Sequence, residues 1–327
     1  MANFLKINKE EYKKLLDKTL FRTFFHEINW HEFLERKFKW LKFEYYLYGE
    51  ELLFPVARVG NKLISLPFCE YGGPLPLKEN VNFDEFKKDV LNEFKNIKIK
   101  FHPKIKVGNV ESEICTHWIE NFKNISEQEL LNSFRKTLRH EIRNAQEHNL
   151  EIRKCSNLKE LKKFYNLYVI NLKKKKTVPY PFLVIKFLSE RPESKILLVV
   201  YSAKGGSASG GKIIAGSLFL HYSNFVHYFL SASDYKYRNF GANYLILWKE
   251  IKGLCGQDKI FDLGASPKGS ALEIFKRGWG GKEYPILQLG IKRSEEKLRS
   301  SKLRNIFGLL PNFILKRLSP LLIKYRL

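Results

Sequence analysis

Three stretches of the sequence carry side chains whose types and spacing could do chemistry. In the first, Lys259 to Gln288, the apolar pair Ile260-Phe261 runs into Asp262-Leu263-Gly264. A Ser-Pro-Lys-Gly turn follows, then a short helical pattern from Ser270 to Arg277 and glycines at 278, 280 and 281. An acid at a strand end and a lysine at a helix end stand at the edge where α/β folds place their sites. Leu272, Phe275 and Trp279 can share an apolar face, which leaves Lys276 and Arg277 pointing elsewhere. In the second stretch, Arg135, Arg139 and Arg143 recur every four residues beside an apolar stripe. That row is either a solvated basic face or a phosphate clamp, since the guanidinium fork matches phosphate oxygens. In the third, Arg238-Asn239-Phe240-Gly241-Ala242-Asn243 links an extended run to the helical LILWKEIKG. Backbone N–H groups at such a helix start can meet an anion or a carbonyl oxygen.

Other chemistries are poorly represented. The eight histidines are dispersed, and His221 and His227 sit on neighbouring predicted strands with no third ligand at a telling spacing, so no metal is expected. There is no Gly-x-Ser-x-Gly elbow for a serine hydrolase. The glycine-rich tip 205–211 is followed by Lys212-Ile213 and a strand, which makes it a hairpin loop and not a phosphate loop. What remains is transfer by positioning. An amine attacks an activated ester, and the enzyme orients both and stabilises the tetrahedral oxyanion.

The elements that must hold these residues follow from periodicity. Glu10 to Asp17 and Trp30 to Phe38 fit short helices; Phe43 to Tyr48, Glu51 to Val59 and Lys62 to Leu66 fit strands, with Gly49 and Gly60-Asn61 at the turns. The meander runs into a Tyr71-Gly72-Gly73-Pro74 loop, which brings an aromatic ring close to main chain. A helix from Asn82 to Lys95 and strands at Ile97 to Phe101 and Glu113 to Ile119 complete the first half. A new unit opens at Ser126, where Ser126 and Glu129 form a capping-box pattern. Leu130, Phe134, Leu138 and Ile142 then predict a single helix. Two more helices, around Leu161 to Leu172 and Phe182 to Ser189, precede strands at Ile196 to Tyr201, Ile213 to His221 and Phe225 to Ser231.

Composition narrows the partners. The chain has 327 residues, of which 44% are hydrophobic, enough for two cores. With 58 Lys and Arg against 34 acids the net charge is +24. That excess favours nucleic acid, an anionic membrane or phosphorylated substrates, or else reflects a lysine-rich solvated surface. The tail from Lys292 to Leu327 holds ten Lys or Arg and no acid after Glu296. Basic and amphipathic at once, it reads as an interfacial membrane segment or as helices covering one domain. Four cysteines without a C-x-x-C pair argue against a disulfide framework and a cysteine zinc site and suit a reducing compartment. No apolar run approaches the length of a membrane span, and the N-terminus lacks a signal core. The expected location is cytoplasmic, with the tail as a peripheral membrane contact.

Taken in order, Tyr71-Gly72-Gly73-Pro74, the Arg139 to Gln146 helix, Gly241-Ala242-Asn243, Asp262-Leu263-Gly264 and Phe275-Lys276-x-Gly278-Trp279-Gly280 resemble the FemAB-like branch of the GNAT acyltransferase superfamily. The resemblance implies an α/β fold of two tandem GNAT-like domains with mixed sheets, residues 1–124 and 125–291, followed by the basic tail 292–327. It implies aminoacyl transfer from an activated ester, aminoacyl-tRNA, to an amine of a lipid-linked or nucleotide-linked envelope precursor, with no cofactor and no metal. Lys276 would be the cation near the reacting ester and Phe275 its packing neighbour. Arg139, Arg143, Tyr71 and Asp262 would contact substrate, with Arg36 and Lys37 as the basic pair of the first domain. Arg238, Gly241, Ala242 and Asn243 would face the donor. Asn243 stands where the acyl-CoA loop of GNAT enzymes has Gly or Ala, which favours a tRNA donor over CoA. Two competing readings are an acyl-CoA-dependent N-acyltransferase acting on an amino sugar, and a non-catalytic tRNA- or membrane-binding protein on the same scaffold.

Overall fold

The computed structural model describes residues 3–108, 112–202, 211–290 and 305–326. The expected hairpin tip at 205–211 lies, apart from Gly211, outside these residues. Two mixed sheets form the body. The first takes β1 (Phe4–Ile7), β2 (Leu41–Tyr48), β3 (Leu52–Val59), β4 (Lys62–Ile64), β5 (Leu75–Pro76) and β6 (Ile97–Lys100). The second is built on β7 (Ile114–Ile119), β8 (Leu150–Lys154), β9 (Ser194–Tyr201), β10 (Lys212–Tyr222), β11 (Phe225–Ser233) and β12 (Ile260–Asp262), with β13 (Ser266–Pro267) and β14 (Lys282–Pro285) beside β7. The last strand, β15 (Gln288–Gly290), returns to the first sheet and pairs with β6. Each sheet contains one parallel pair, β4 with β6 and β11 with β12, among antiparallel neighbours.

The sheets exchange strands across the boundary expected near residue 124. β7 precedes that boundary yet belongs to the second sheet, and β15 follows it yet belongs to the first. Packing joins the halves as well. Helices α1 (Lys9–Leu16) and α2 (Ile28–Lys37) share one buried cluster with α6 (Leu158–Lys174), α7 (Phe182–Ser189) and the second sheet; α3 (Phe83–Glu93) packs in a separate cluster within the first half. Phe33 stacks on Phe187 at 3.9 Å, and Phe25 meets Phe229 at 5.3 Å. Burying such a ring contributes about 1.5–3 kcal/mol, so the halves hold each other in place.

The capping box at Ser126 forms and starts α4 (Glu127–Ser133). The single helix expected beyond it is in fact two, because Phe134 is extended (ψ 154°) and α5 runs from Lys136 to Glu147. Phe134 keeps its buried place by an edge contact with Trp279 at 5.5 Å, so the four-residue period survives a break in the helix. Arg135 therefore precedes α5, and only Arg139 and Arg143 of the stripe are on it. The remaining helices of the body are α8 (Ala242–Lys252) and α9 (Ala271–Arg277).

The tail departs from a purely interfacial segment. Its helix Asn312–Leu322 packs on α6, with Phe307, Leu315 and Ile323 buried in the large shared core. Arg326 donates to the Val178 carbonyl at 2.9 Å and lies over the Tyr180 ring. A second apolar face, with Leu309, Phe313 and Leu321, stays exposed. Truncation after Glu296 is therefore expected to lower the melting temperature markedly, since each of the three core side chains is worth about 1.5–3 kcal/mol. A truncated chain that melts with the full one in calorimetry would show that the tail contributes nothing to the core.

Candidate active site

Parallel pairing of β11 with β12 sets His227 beside Asp262, at the end of each strand's shared register. Asp262 is fully buried and collects four donors. The hydroxyls of Tyr71 and Thr116 and the Gly264 N–H at 2.8 Å point to it, and His227 Nδ1 lies 2.8 Å from Oδ2. Burial would raise the pKa of this carboxyl, but His227 and the hydroxyl donors overcome that and hold it far below the usual range. Burial likewise works against a charged His227, yet Asp262 and Glu70 keep its pKa above the ordinary 6.5. The outer nitrogen, Nε2, makes no hydrogen bond among the described residues and stands 3.8 Å from Glu70 Oε2. Beside it lies a pocket walled by Phe24, Phe25, Tyr71, Tyr222 and Phe225, with Glu70 and His227 as its charged groups. Its cavity volume is about 30 Å³, space for about two waters and so for the reacting end of a substrate.

The turn after β12 is held from both sides. Glu70 accepts the Ala265 N–H, while Lys276 Nζ donates to the carbonyls of Gly264 at 2.7 Å and Ala265 at 2.9 Å. Gly264 has φ +77°, and a Cβ there would lie 3.0 Å from the Glu70 carboxylate, so both backbone shape and space call for glycine. Burial pushes the Lys276 pKa down, and Glu70 and Asp262 pull against it. Two of the three ammonium protons are accounted for by the carbonyls, which leaves one donor over. A fixed cation, a carboxylate-oriented imidazole and a largely apolar pocket are what an acyl transfer to an amine can use.

Residues 132–277 match the model of the acetyltransferase (GNAT) domain, and residues 76–177 match that of the FemAB family. The chain thus carries an acyltransferase region of FemAB-like and GNAT type, the two matches together spanning residues 76–277. Among solved structures, FemX is similar at 15% identity and a TM-score of 0.57, over 91% of this chain and 100% of its own. L-PGS from Bacillus licheniformis is similar at 12% identity and a TM-score of 0.54, over 93% and 98%. A conserved protein of unknown function from Bacteroides thetaiotaomicron is similar at 11% identity and a TM-score of 0.52, over 89% and 100%. At these identities the likeness is one of fold. No curated protein matches the chain by sequence.

Within the chain the candidate residues divide into two groups. Tyr71, Asp262 and Lys276 converge on one place. Phe275 packs instead against Tyr244 at 5.5 Å and Trp279 at 6.4 Å, on the α8 side. Arg139 is half-buried and Arg143 exposed on α5; Arg36 and Lys37 are exposed in the last turn of α2. None of these four touches the Asp262 cluster among the described residues. Arg238 is exposed and lies over Tyr235, with 4.6 Å from its guanidinium to the ring centroid. Gly241 caps α8 with φ +65°, and a Cβ there would meet Ala145 of α5 at 2.7 Å. Ala242 is buried and Asn243 reaches Ser233 at 3.4 Å, so this loop is tied down by its own neighbours.

The expected apolar face of α9 is reversed in part. Leu272 is 43% exposed and Ile274 52%, whereas Glu273 and Lys276 are buried at 4% each. A short helix that buries its charged pair and exposes its leucine has been shaped by something other than core packing. Glu70, Thr116 and His227 are site residues that local patterns do not single out. The signal for His227 was available in the alternation of FVHYFLSAS, which puts it on one face with Phe225 and Phe229.

Proposed function

We propose that this chain transfers an aminoacyl group from aminoacyl-tRNA to an amine of a lipid-linked envelope precursor. The observation that carries this reading is the Asp262–His227 pair, whose unbonded Nε2 lies at the pocket, with the buried Lys276 anchoring the turn after β12. Neutral His227 takes a proton from the attacking amine, whose nitrogen bonds to the ester carbonyl carbon. The carbonyl oxygen becomes an oxyanion in the field of Lys276. Collapse forms the amide, breaks the ester C–O bond and returns the proton from His227 to the departing alcohol oxygen. The FemAB match over residues 76–177 and the +24 charge support an acyl donor carried on a polyanion. The tight α5 contact at Gly241 and the stacking of His148 on Phe240 at 4.4 Å support tRNA over CoA, whose pyrophosphate would need that corner. Arg139 and Arg143 are then open to substrate phosphate.

The donor is tested by offering each one with an amine acceptor. Charged tRNA should bind with an affinity that falls steeply with salt, as counterions are released. Acetyl-CoA should bind weakly or not at all. Micromolar acetyl-CoA binding in calorimetry, with transfer from acetyl-CoA and none from charged tRNA, would replace this reading with the CoA-dependent one.

No helix among the described residues is long and apolar enough to cross a membrane. A lipid-linked acceptor would be met at the surface, and the exposed tail face supports that. Leu309, Phe313 and Leu321 are 81%, 71% and 62% exposed, beside Lys316, Arg317 and Lys324. A Leu309→Ser, Phe313→Ser, Leu321→Ser variant should keep the wild-type melting temperature and lose binding to phosphatidylglycerol vesicles. Undiminished vesicle binding would remove the tail from the membrane contact.

A further inference from the structure

A second cluster lies under the same buried face of α9, about one turn from Lys276, and the transfer chemistry does not use it. Cys115 and His117 alternate on β7, so their side chains leave the same face of the second sheet. Glu283 of β14 is the cross-strand partner of His117 and shares that face. α9 packs on β7 and lowers Glu273 onto the imidazole. These groups come from three separated parts of the chain, which is why no metal spacing is visible in the sequence.

The buried centre of the cluster is poorly satisfied. His117 is fully buried, and neither ring nitrogen makes a hydrogen bond among the described residues. Glu273 Oε1 is also buried without a hydrogen bond and stands 3.5 Å from His117 Nε2. Arg277 is 3.7 Å from that same oxygen. Leaving a buried polar atom unpaired costs about 1–3 kcal/mol, so one imidazole nitrogen and Glu273 Oε1 call for a shared partner, the other nitrogen facing away from it. The sulfur of Cys115 is 3.9 Å from the Ser266 carbonyl, and one ligand atom each from Cys115, His117 and Glu283 fit within 4.8 Å of one another.

We infer that Cys115, His117 and Glu283 form a binding site for a divalent cation of zinc type, which Glu273 completes by turning from the imidazole toward the other ligands, tying α9 to β7 and β14. The 3.5 Å between His117 Nε2 and Glu273 Oε1 is the informative distance. Two ligands bonded at about 2.0–2.1 Å to one tetrahedral zinc are about 3.3–3.4 Å apart. That spacing is too long for a good hydrogen bond and right for a common metal. One sulfur, one nitrogen and two carboxylate oxygens form a set that suits zinc over the hard cations. Burial pushes the His117 pKa down and so keeps the imidazole neutral, as a ligand must be. The Cys115 thiol must give up its proton to bind the cation, so binding should strengthen as pH rises. One thiolate and two carboxylates then balance the cation together with Lys276. Glu283 is exposed and pairs with Lys268 at 3.1 Å, which makes it the ligand that swings in and the side from which the ion enters. The reversed polarity of α9 follows: Glu273 faces inward to the cation and holds the helix that carries Lys276.

The test uses the full chain without an affinity tag, loaded with Zn²⁺ or Co²⁺ and challenged with a chromophoric chelator. One zinc per chain should survive, the melting temperature should rise with zinc concentration, and the Co²⁺ form should show a thiolate-to-cobalt absorption band. Cys115→Ser should abolish that band. Glu283→Gln changes an exposed residue and leaves the fold intact. It should weaken zinc binding by at least the roughly 10- to 100-fold that losing even an outer partner costs. No zinc retained against the chelator would overturn the site, as would a cobalt spectrum and an affinity that both variants leave unchanged. These readouts do not depend on transfer activity, so the site and the proposed reaction stand or fall separately.

Discussion

His227→Gln is expected to lower the rate of amide formation by about 100- to 10,000-fold, the contribution of a positioned acid–base group. Glutamine keeps a hydrogen bond to Asp262 and fills much of the imidazole volume, so the loss falls on proton transfer. Asp262→Asn is a harsher change. An amide offers an N–H₂ where the carboxylate accepts from Tyr71, Thr116, Gly264 and His227, so at least one buried donor is stranded. Breaking a buried ion pair from one side typically costs about 3–5 kcal/mol, and this variant should lose stability as well as rate. Single-turnover measurement on His227→Gln separates the two effects. A rate within a few-fold of wild type would leave His227 as a structural partner of Asp262 and no more.

The pH dependence follows from the same pair. His227 must be neutral to accept a proton, so the rate should climb with pH through a value above 6.5, and the climb should vanish in His227→Gln. Stability runs the other way. A histidine whose pKa is raised on folding contributes fully below the unfolded value of about 6.5 and loses that contribution as pH rises through the folded one. The depressed Asp262 contributes above about 3.9 and loses it as pH falls. The pair therefore stabilises most between those limits, on the acidic side of the best pH for catalysis. An enzyme whose activity fell with pH over this range would need another base.

Local sequence carried part of this site. Tyr71, Asp262 and Lys276 stand in short motifs whose glycines fix turns, and the turn chemistry is visible from neighbours alone. Thr116 and His227 reach Asp262 through strand pairing between residues far apart in the chain, and Glu70 reaches the Ala265 N–H from a distant loop; register across a crossover leaves no local trace. The exchange of β7 and β15 between the sheets was hidden for the same reason, since each strand reads alike in either sheet. Phe134 misled in a different way: an extended residue kept the helical period because its ring was still wanted in the core. On α9 the apolar residues marked the exposed face and the charged ones the buried face, because Glu273 and Lys276 answer to electrostatic partners and not to core packing. The two halves of the tail, one covering the α6 core and one facing outward, share a single amphipathic pattern that composition cannot divide.

Lys276→Met keeps the length of the side chain and removes its charge. If Lys276 supplies the fixed cation for the oxyanion, the rate should fall about 100- to 1000-fold, or about 2.7–4 kcal/mol of barrier, with little change in substrate affinity. The carbonyls of Gly264 and Ala265 also lose their donor, so a slower enzyme alone does not separate charge from anchoring. The pH profile does. Lys276 is one of the groups that lower the His227 pKa, and removing it lets the imidazolium persist to higher pH. The acid limb of the rate profile should therefore move to higher pH in Lys276→Met, and Lys276→Arg, which restores a charge, should move it back even where its bulk keeps the rate low. A large loss of rate with an unmoved limb would mean that Lys276 serves only to hold the turn after β12. A variant that transfers at the wild-type rate would place the oxyanion away from Lys276.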